Sequence, residues 1–163
     1  MEIKIIVVDT DQREYVHQCL EIAKRSFLAK GESLSHIDRV EFSKYVVCAV
    51  QGDVVLGYAS IMEGIRYEND LFINQFIVDP CFSNIQKEIR ELLIEYILHH
   101  SLGRDCVSYE IDSKEKQVIK LLDENGFVVA QRNSNLVDYV YQVKYIRINE
   151  NMQYTELDKE NES

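Results

Sequence analysis

VDPCFSNIQKEIRELLIEYI, residues 78–97, ends a strand-forming run at the only proline of the chain and restarts as an apolar-periodic helix. Ser83 followed three residues later by Gln86 has capping-box spacing, which predicts a helix start near Asn84. Ile85, Ile89, Leu92, Leu93, Tyr96 and Ile97 then share one stripe, with Lys87, Glu88, Arg90 and Glu91 left to face water. Such a helix packs on a sheet by its stripe. Its first turn carries unpaired backbone N–H groups and the positive end of the dipole, a geometry suited to phosphate oxygens. Turns that hold phosphate are commonly rich in glycine, and this one has none. Glycine is needed only where backbone must approach closely or take positive φ. Two readings therefore stay open: a phosphate cradle of main-chain atoms, or a joint that binds only water.

Upstream, EIKIIVV (2–8) predicts a first strand. Asp11 with Glu14 three residues on predicts an N-cap for a helix through Val16, Leu20, Ala23 and Phe27 that stops at Gly31, with a shorter helix over 34–42. YVVCAVQ (45–51) and VVLGYASIM (54–62), separated by Gly52-Asp53, predict an antiparallel hairpin, and LFINQFIV (71–78) a fourth strand. Beyond His99-His100 come a strand CVSYEI (106–111), a helix over 113–124 closed by Gly126, and strands FVVAQ (127–131) and DYVYQVKYI (138–146). The order β-α-α-β-β-β-α-β-α-β-β predicts an α/β (mixed α+β) fold: one mixed, mostly antiparallel sheet of six or seven strands with helices on both faces.

The 163 residues, 46% hydrophobic, suit one domain, placed over 1–148. Residues 149–163 hold five acids against one lysine and little to bury, so −4 of the net charge of −10 lies in what reads as a disordered tail. An acidic chain disfavours nucleic acid and anionic membrane as partners. The N-terminal apolar run is too short for a signal sequence or a spanning helix, so a soluble, cytoplasmic protein is expected. Cys19, Cys48, Cys81 and Cys106 are widely spaced, with no CxxC and no pairing with nearby histidines, which predicts neither a metal site nor a disulfide framework. His17 and His36 read as surface or satisfied core, His99-His100 as a helix end, and Cys81 as an ordinary loop cysteine at the joint.

The element order, the FIVDP ending of the fourth strand, Leu92-Leu93 within the following helix and LLDENGF leading into a late strand together resemble the GNAT superfamily of acyl-CoA-dependent N-acyltransferases. The resemblance spans roughly residues 2–146. It implies acetyl-CoA, or another acyl-CoA, as co-substrate, with no metal. The fourth and fifth strands would splay, and the pantetheine arm would pair with the backbone of Phe76, Ile77 and Val78. The pyrophosphate would sit over Ser83, Asn84, Ile85, Gln86, Lys87 and Glu88, and a backbone N–H near Ile77 would polarise the thioester carbonyl. The acceptor would be an amine of a small molecule or protein. Such proteins often pair exposed late strands between subunits, which makes a homodimer the expected assembly if there is one.

Several family positions differ here. Anchoring on Leu92-Leu93 puts Lys87 and Ile89 at the two small-residue positions of the loop, and Ile89 fits the core stripe instead. Anchoring on Gly126-Phe127 puts Leu122 at the position of the tyrosine acid, and Phe72 and Asn74 occupy strand positions where a glutamate base is common. Glu63, Glu68 and Asp70, near where the amine would arrive, are candidate bases acting through water. Tyr109, with Tyr139 and Tyr141 behind it, is the candidate acid. Three readings remain: an N-acetyltransferase, a non-catalytic GNAT-like sensor or scaffold, and an unrelated α+β binding domain.

Overall fold

A computed structural model describes residues 2–35, 37–65, 67–133 and 135–142. The acidic tail, His36 and the end of the last strand lie outside these residues. The elements run β1 Lys4–Val8, α1 Arg13–Ala29, a 3-10 segment Ile37–Phe42, β2 Tyr45–Gln51, β3 Val54–Glu63, β4 Asp70–Val78, a 3-10 segment Pro80–Ile85, α2 Gln86–His99, β5 Cys106–Asp112, α3 Lys116–Glu124, β6 Val128–Asn133 and β7 Leu136–Gln142. The seven strands form one sheet in the order β1-β2-β3-β4-β5-β7-β6. The expected mixed α/β architecture is the observed one, at the upper strand count. The chain packs as two compact units, one of residues up to Glu63 with Phe72–His100, the other of Gly64–Leu71 with the described residues from Ser101.

In the first unit β2 pairs antiparallel with β1 and with β3, the latter through the Gly52-Asp53 turn. Val16, Cys19, Ile22 and Ala23 of α1 join Val46, Cys48 and Val50 of β2 and Tyr58 of β3 in one buried cluster. Gly57, one residue before Tyr58, instead meets Ile89 of α2. Successive strand residues point to opposite faces, so α1 and α2 cover opposite faces of β2 and β3. Within the α1 cluster the thiols of Cys19 and Cys48 stand 3.8 Å apart, and both remain free cysteines. The hydrogen bond to Cys48, with burial behind it, pushes the Cys19 thiol far above the usual thiol range.

In the second unit β7 pairs antiparallel with both β5 and β6. LLDENGF closes α3 as expected: Phe127 N–H reaches Leu122 O at 3.0 Å and Gly126 N–H reaches Asp123 O at 3.2 Å, with Gly126 at φ +88°. That double bond pattern needs a left-handed residue, which glycine takes without strain. Gly31 ends α1 in the same way.

Local expectations fail where side chains choose a different turn. The Asp11–Glu14 box does not form, because Gln12 Oε1 accepts the Asp9 N–H at 2.8 Å and holds the chain in a turn until α1 starts at Arg13. The helix expected over 34–42 is a six-residue 3-10 segment that buries only Val40, too little to stabilise α-helix. The helix expected from Ser113 starts at Lys116, because the Asp112 carboxylate caps Lys114 N–H at 2.9 Å and keeps 113–115 in a turn. On α2 the buried residues are Ile89, Leu93, Ile94 and Ile97, so Ile94 joins the expected stripe while Leu92 is only half-buried. Arg90, expected to face water, is half-buried with its Nε shielded from solvent.

Candidate functional site

The exit of β4 is fixed from three sides. From β3, Leu56 O accepts the Asp79 N–H at 2.8 Å. Beside it, a Cβ on Gly57 would stand 3.0 Å from Ile77 O, 3.1 Å from Ile89 Cγ2 and 3.2 Å from Val78 Cα. Only a residue without a side chain lets β4 and α2 come this close to β3.

The third restraint is Asp79, 4% exposed. Its Oδ1 accepts the Cys81 N–H at 3.0 Å, and its carbonyl accepts the Phe82 N–H at 2.9 Å, which starts the 3-10 turn. Arg25 of α1 closes on the same carboxylate as a fork, Nε to Oδ1 at 3.2 Å and Nη2 to Oδ2 at 2.7 Å. Burial pushes the Asp79 carboxyl upward, but the hydrogen bonds from Arg25 and Cys81 outweigh it and hold the group below the usual aspartate range. Arg25 is raised in return, first by its hydrogen bond to Asp79.

This turn displaces the capping box expected at Ser83–Gln86. The chain turns helical at Pro80, capped by Asp79, so Ser83 lies inside the 3-10 segment instead of ahead of a helix. A non-helical Phe82 (φ −115°, ψ 32°) breaks the path, and α2 begins only at Gln86, behind Ile85, without a side-chain cap. The Gln86 N–H is given to Ser83 O. Of the residues matched to a pyrophosphate, Ser83, Asn84, Lys87 and Glu88 are exposed, and Ile85 and Gln86 half-buried. Of those matched to a pantetheine arm, Phe76 and Val78 are buried, and the half-buried Ile77 packs its side chain on the α1 cluster. Cys81 is exposed.

The candidate acids and bases fall in different surroundings. Glu63 ends β3, half-buried, with Lys44 Nζ 3.8 Å away. Glu68 is exposed. Asp70 is fully buried: Oδ1 accepts the Ile65 N–H at 3.1 Å, and Oδ2 accepts the Tyr67 N–H at 3.2 Å and the Ser108 hydroxyl at 2.8 Å. Its carboxylate ties the 64–69 turn to β5. Asn69, at φ +57°, ties the same turn to the next loop through Nδ2 to Gly103 O at 3.1 Å. Tyr109 is half-buried on β5, opposite Tyr139 of β7. Burial, then Asp123, pushes the Tyr139 hydroxyl above its ordinary range, and Tyr141 packs on Phe127 at 5.7 Å between rings. Leu122, at the acid-tyrosine position, is fully buried. Among the described residues no three of His, Cys, Asp or Glu are grouped to hold a metal ion, and no helix is long and apolar enough to cross a membrane.

No protein-family model matches this chain, and no curated protein matches it by sequence. Solved structures do. A GNAT-family acetyltransferase of Staphylococcus aureus Mu50 superposes with a TM-score of 0.70 at 14% identity, over 88% of this chain and 100% of that one. The PaiA N-acetyltransferase of Thermoplasma acidophilum, in complex with coenzyme A, gives 0.66 at 12% identity, over 87% and 99%. YncA of Salmonella typhimurium, with acetyl-CoA, gives 0.63 at 15% identity, over 88% and 95%. The chain has the GNAT fold. Identities this low speak for the fold alone, and within the GNAT fold the joint from β4 through Pro80 to α2 is the segment that the sequence matched to the acyl-CoA site.

Arg25, Gly57 and Asp79 were not among the residues singled out by sequence. Asp79-Pro80 carries a legible signal, an acid ahead of a helix-starting proline. Arg25, 54 residues away, carries none.

Proposed function

We propose that this protein is an acyl-CoA-dependent N-acyltransferase, with acetyl-CoA as donor and an amine of a small molecule or protein as acceptor. The observation that carries this reading is the rigid exit of β4 into the Pro80 turn and α2, set in a GNAT fold. It gives the donor a fixed strip of backbone to pair with. The Asp79 N–H points at β3, and strand alternation turns the Ile77 amide the same way. The Val78 amide therefore points along the other edge of β4, where it polarises the thioester carbonyl. The exposed Lys87 supplies a cation for the pyrophosphate, with the first turn of α2 beside it.

Glu63 or Glu68 takes the proton of the attacking amine through water, and Tyr109 returns one to the leaving thiolate. Asp70 is assigned to holding its turn, because both of its oxygens already accept hydrogen bonds. The test is titration of CoA by calorimetry, followed by thiol release from acetyl-CoA over an amine panel. Absence of CoA binding at millimolar concentration defeats the reading.

A second reading, a GNAT-fold sensor or scaffold without turnover, is favoured by Leu122 in the core and by Asp70 committed to its turn. It expects CoA to bind while thiol release stays at background for every amine.

A further inference from the structure

We propose that Arg25 is a positioning residue of the acyl-CoA site, acting through Asp79 to set the path of the backbone from Phe76 to Glu88. This rests on the acyl-CoA reading above. Arg25 comes from α1, which packs on the opposite face of the sheet from α2, so it does not belong to the strand–turn–helix segment that it controls.

Every polar atom of Asp79 is engaged. Its N–H bonds β3, its carbonyl bonds Phe82, Oδ1 takes both Cys81 N–H and Arg25 Nε, and Oδ2 takes Arg25 Nη2. One N–H from Cys81 would leave the carboxylate free to swivel. The planar guanidinium fork fixes the plane of the carboxylate, and with it the aim of Oδ1 at the Cys81 amide. Gly57 removes slack from the β3 side, so the turn has little room to answer a misplaced Asp79 by shifting toward β3. Loss of the fork leaves a buried carboxylate with one main-chain partner and no counter-charge, and the turn from Pro80 to Ile85 moves to bring it to water. The other titratable groups facing this pair are Glu21 on α1 and Cys81 on the turn.

The experiment compares wild type, R25M and R25K in melting temperature, CoA affinity by calorimetry, and KM and kcat for acetyl-CoA. R25M is expected to weaken CoA binding about tenfold or more and to raise the KM for acetyl-CoA alike, with kcat at saturation little changed. R25K, which returns charge without the fork, recovers part of the loss and serves as the readout if R25M does not fold. Wild type that binds CoA, with R25M binding equally well at a lower melting temperature, overturns the inference and leaves the acyl-CoA reading standing. Wild type that binds no CoA overturns both.

Discussion

Ile89 of α2 lies against Gly57 of β3, its Cγ2 only 3.1 Å from where a Cβ on residue 57 would stand. The loop position that the family pattern gives to a small residue here carries isoleucine, and the strand facing it carries the glycine. The helix reaches the sheet because residue 57 has no side chain in the space that Ile89 occupies.

Gly57→Ala should therefore cost about 1–3 kcal/mol, as overpacking in a filled core does. In an Ile89→Ala background, which removes that Cγ2, the cost falls only in part, since the Ile77 carbonyl, at 3.0 Å, is backbone and cannot rotate away. Urea unfolding of both single variants and the double variant measures it. Full recovery in the double variant would mean that Ile89 alone sets the limit.

Asp79 makes stability fall on the acid side. Its carboxyl titrates lower in the folded protein than in the unfolded chain, so its contribution is complete above the unfolded value of about 3.9 and fades as pH falls through the lower folded value. Asp79→Asn should cost about 1–2 kcal/mol at neutral pH, a figure moderated by the 44% exposure of the Arg25 side chain. Asp79→Ala, which also removes the cap on Cys81, costs more. Denaturation curves at neutral pH and at about pH 3 should show the gap between Asn variant and wild type closing in acid.

Ser60 is fully buried on β3, and its hydroxyl has no hydrogen-bond partner among the described residues. Ser60→Ala should leave stability level or raise it by about 1 kcal/mol. A loss larger than that would reveal a partner for the hydroxyl.

The cysteines should divide by exposure. Cys81 is exposed, whereas Cys19, Cys48 and Cys106 are buried, and burial, then Asp70 and Asp105, pushes the Cys106 thiol up to about 12. Alkylation of the native protein followed by mass spectrometry should label Cys81 first, and the other three only on unfolding.

On the proposed reaction, Glu63→Gln or Glu68→Gln, whichever removes the base, should lower kcat/KM by about a hundredfold, with CoA affinity kept. Asp70→Asn should act mainly on melting temperature, because its oxygens hold the Ile65 and Tyr67 amides. The reverse pattern would move the base to Asp70.

What the sequence disclosed was what local chemistry decides. Gly52-Asp53 marked the hairpin, Gly31 and Gly126 marked helix ends, and Ile89 was assigned to the core because helical spacing put it there. The start of α2 was misplaced because Ser83 and Asp79-Pro80 offer rival starts, and only the folded chain brings Arg25 to settle the choice. The room that Gly57 makes for Ile89, and the burial of Asp70 against Ser108, are relations between distant segments that no spacing along the chain encodes.

The register slip in β6 bears on assembly. Between Val129 and Gln131 the ladder with β7 skips a residue, so Ala130 is the extra one, on the outermost strand, beside exposed Val128 and Val129. Bulges bend an edge and break its hydrogen-bonding rhythm. A strand offered by another molecule would fall out of step partway along β6, which guards this apolar edge against indiscriminate sheet extension and fibre growth.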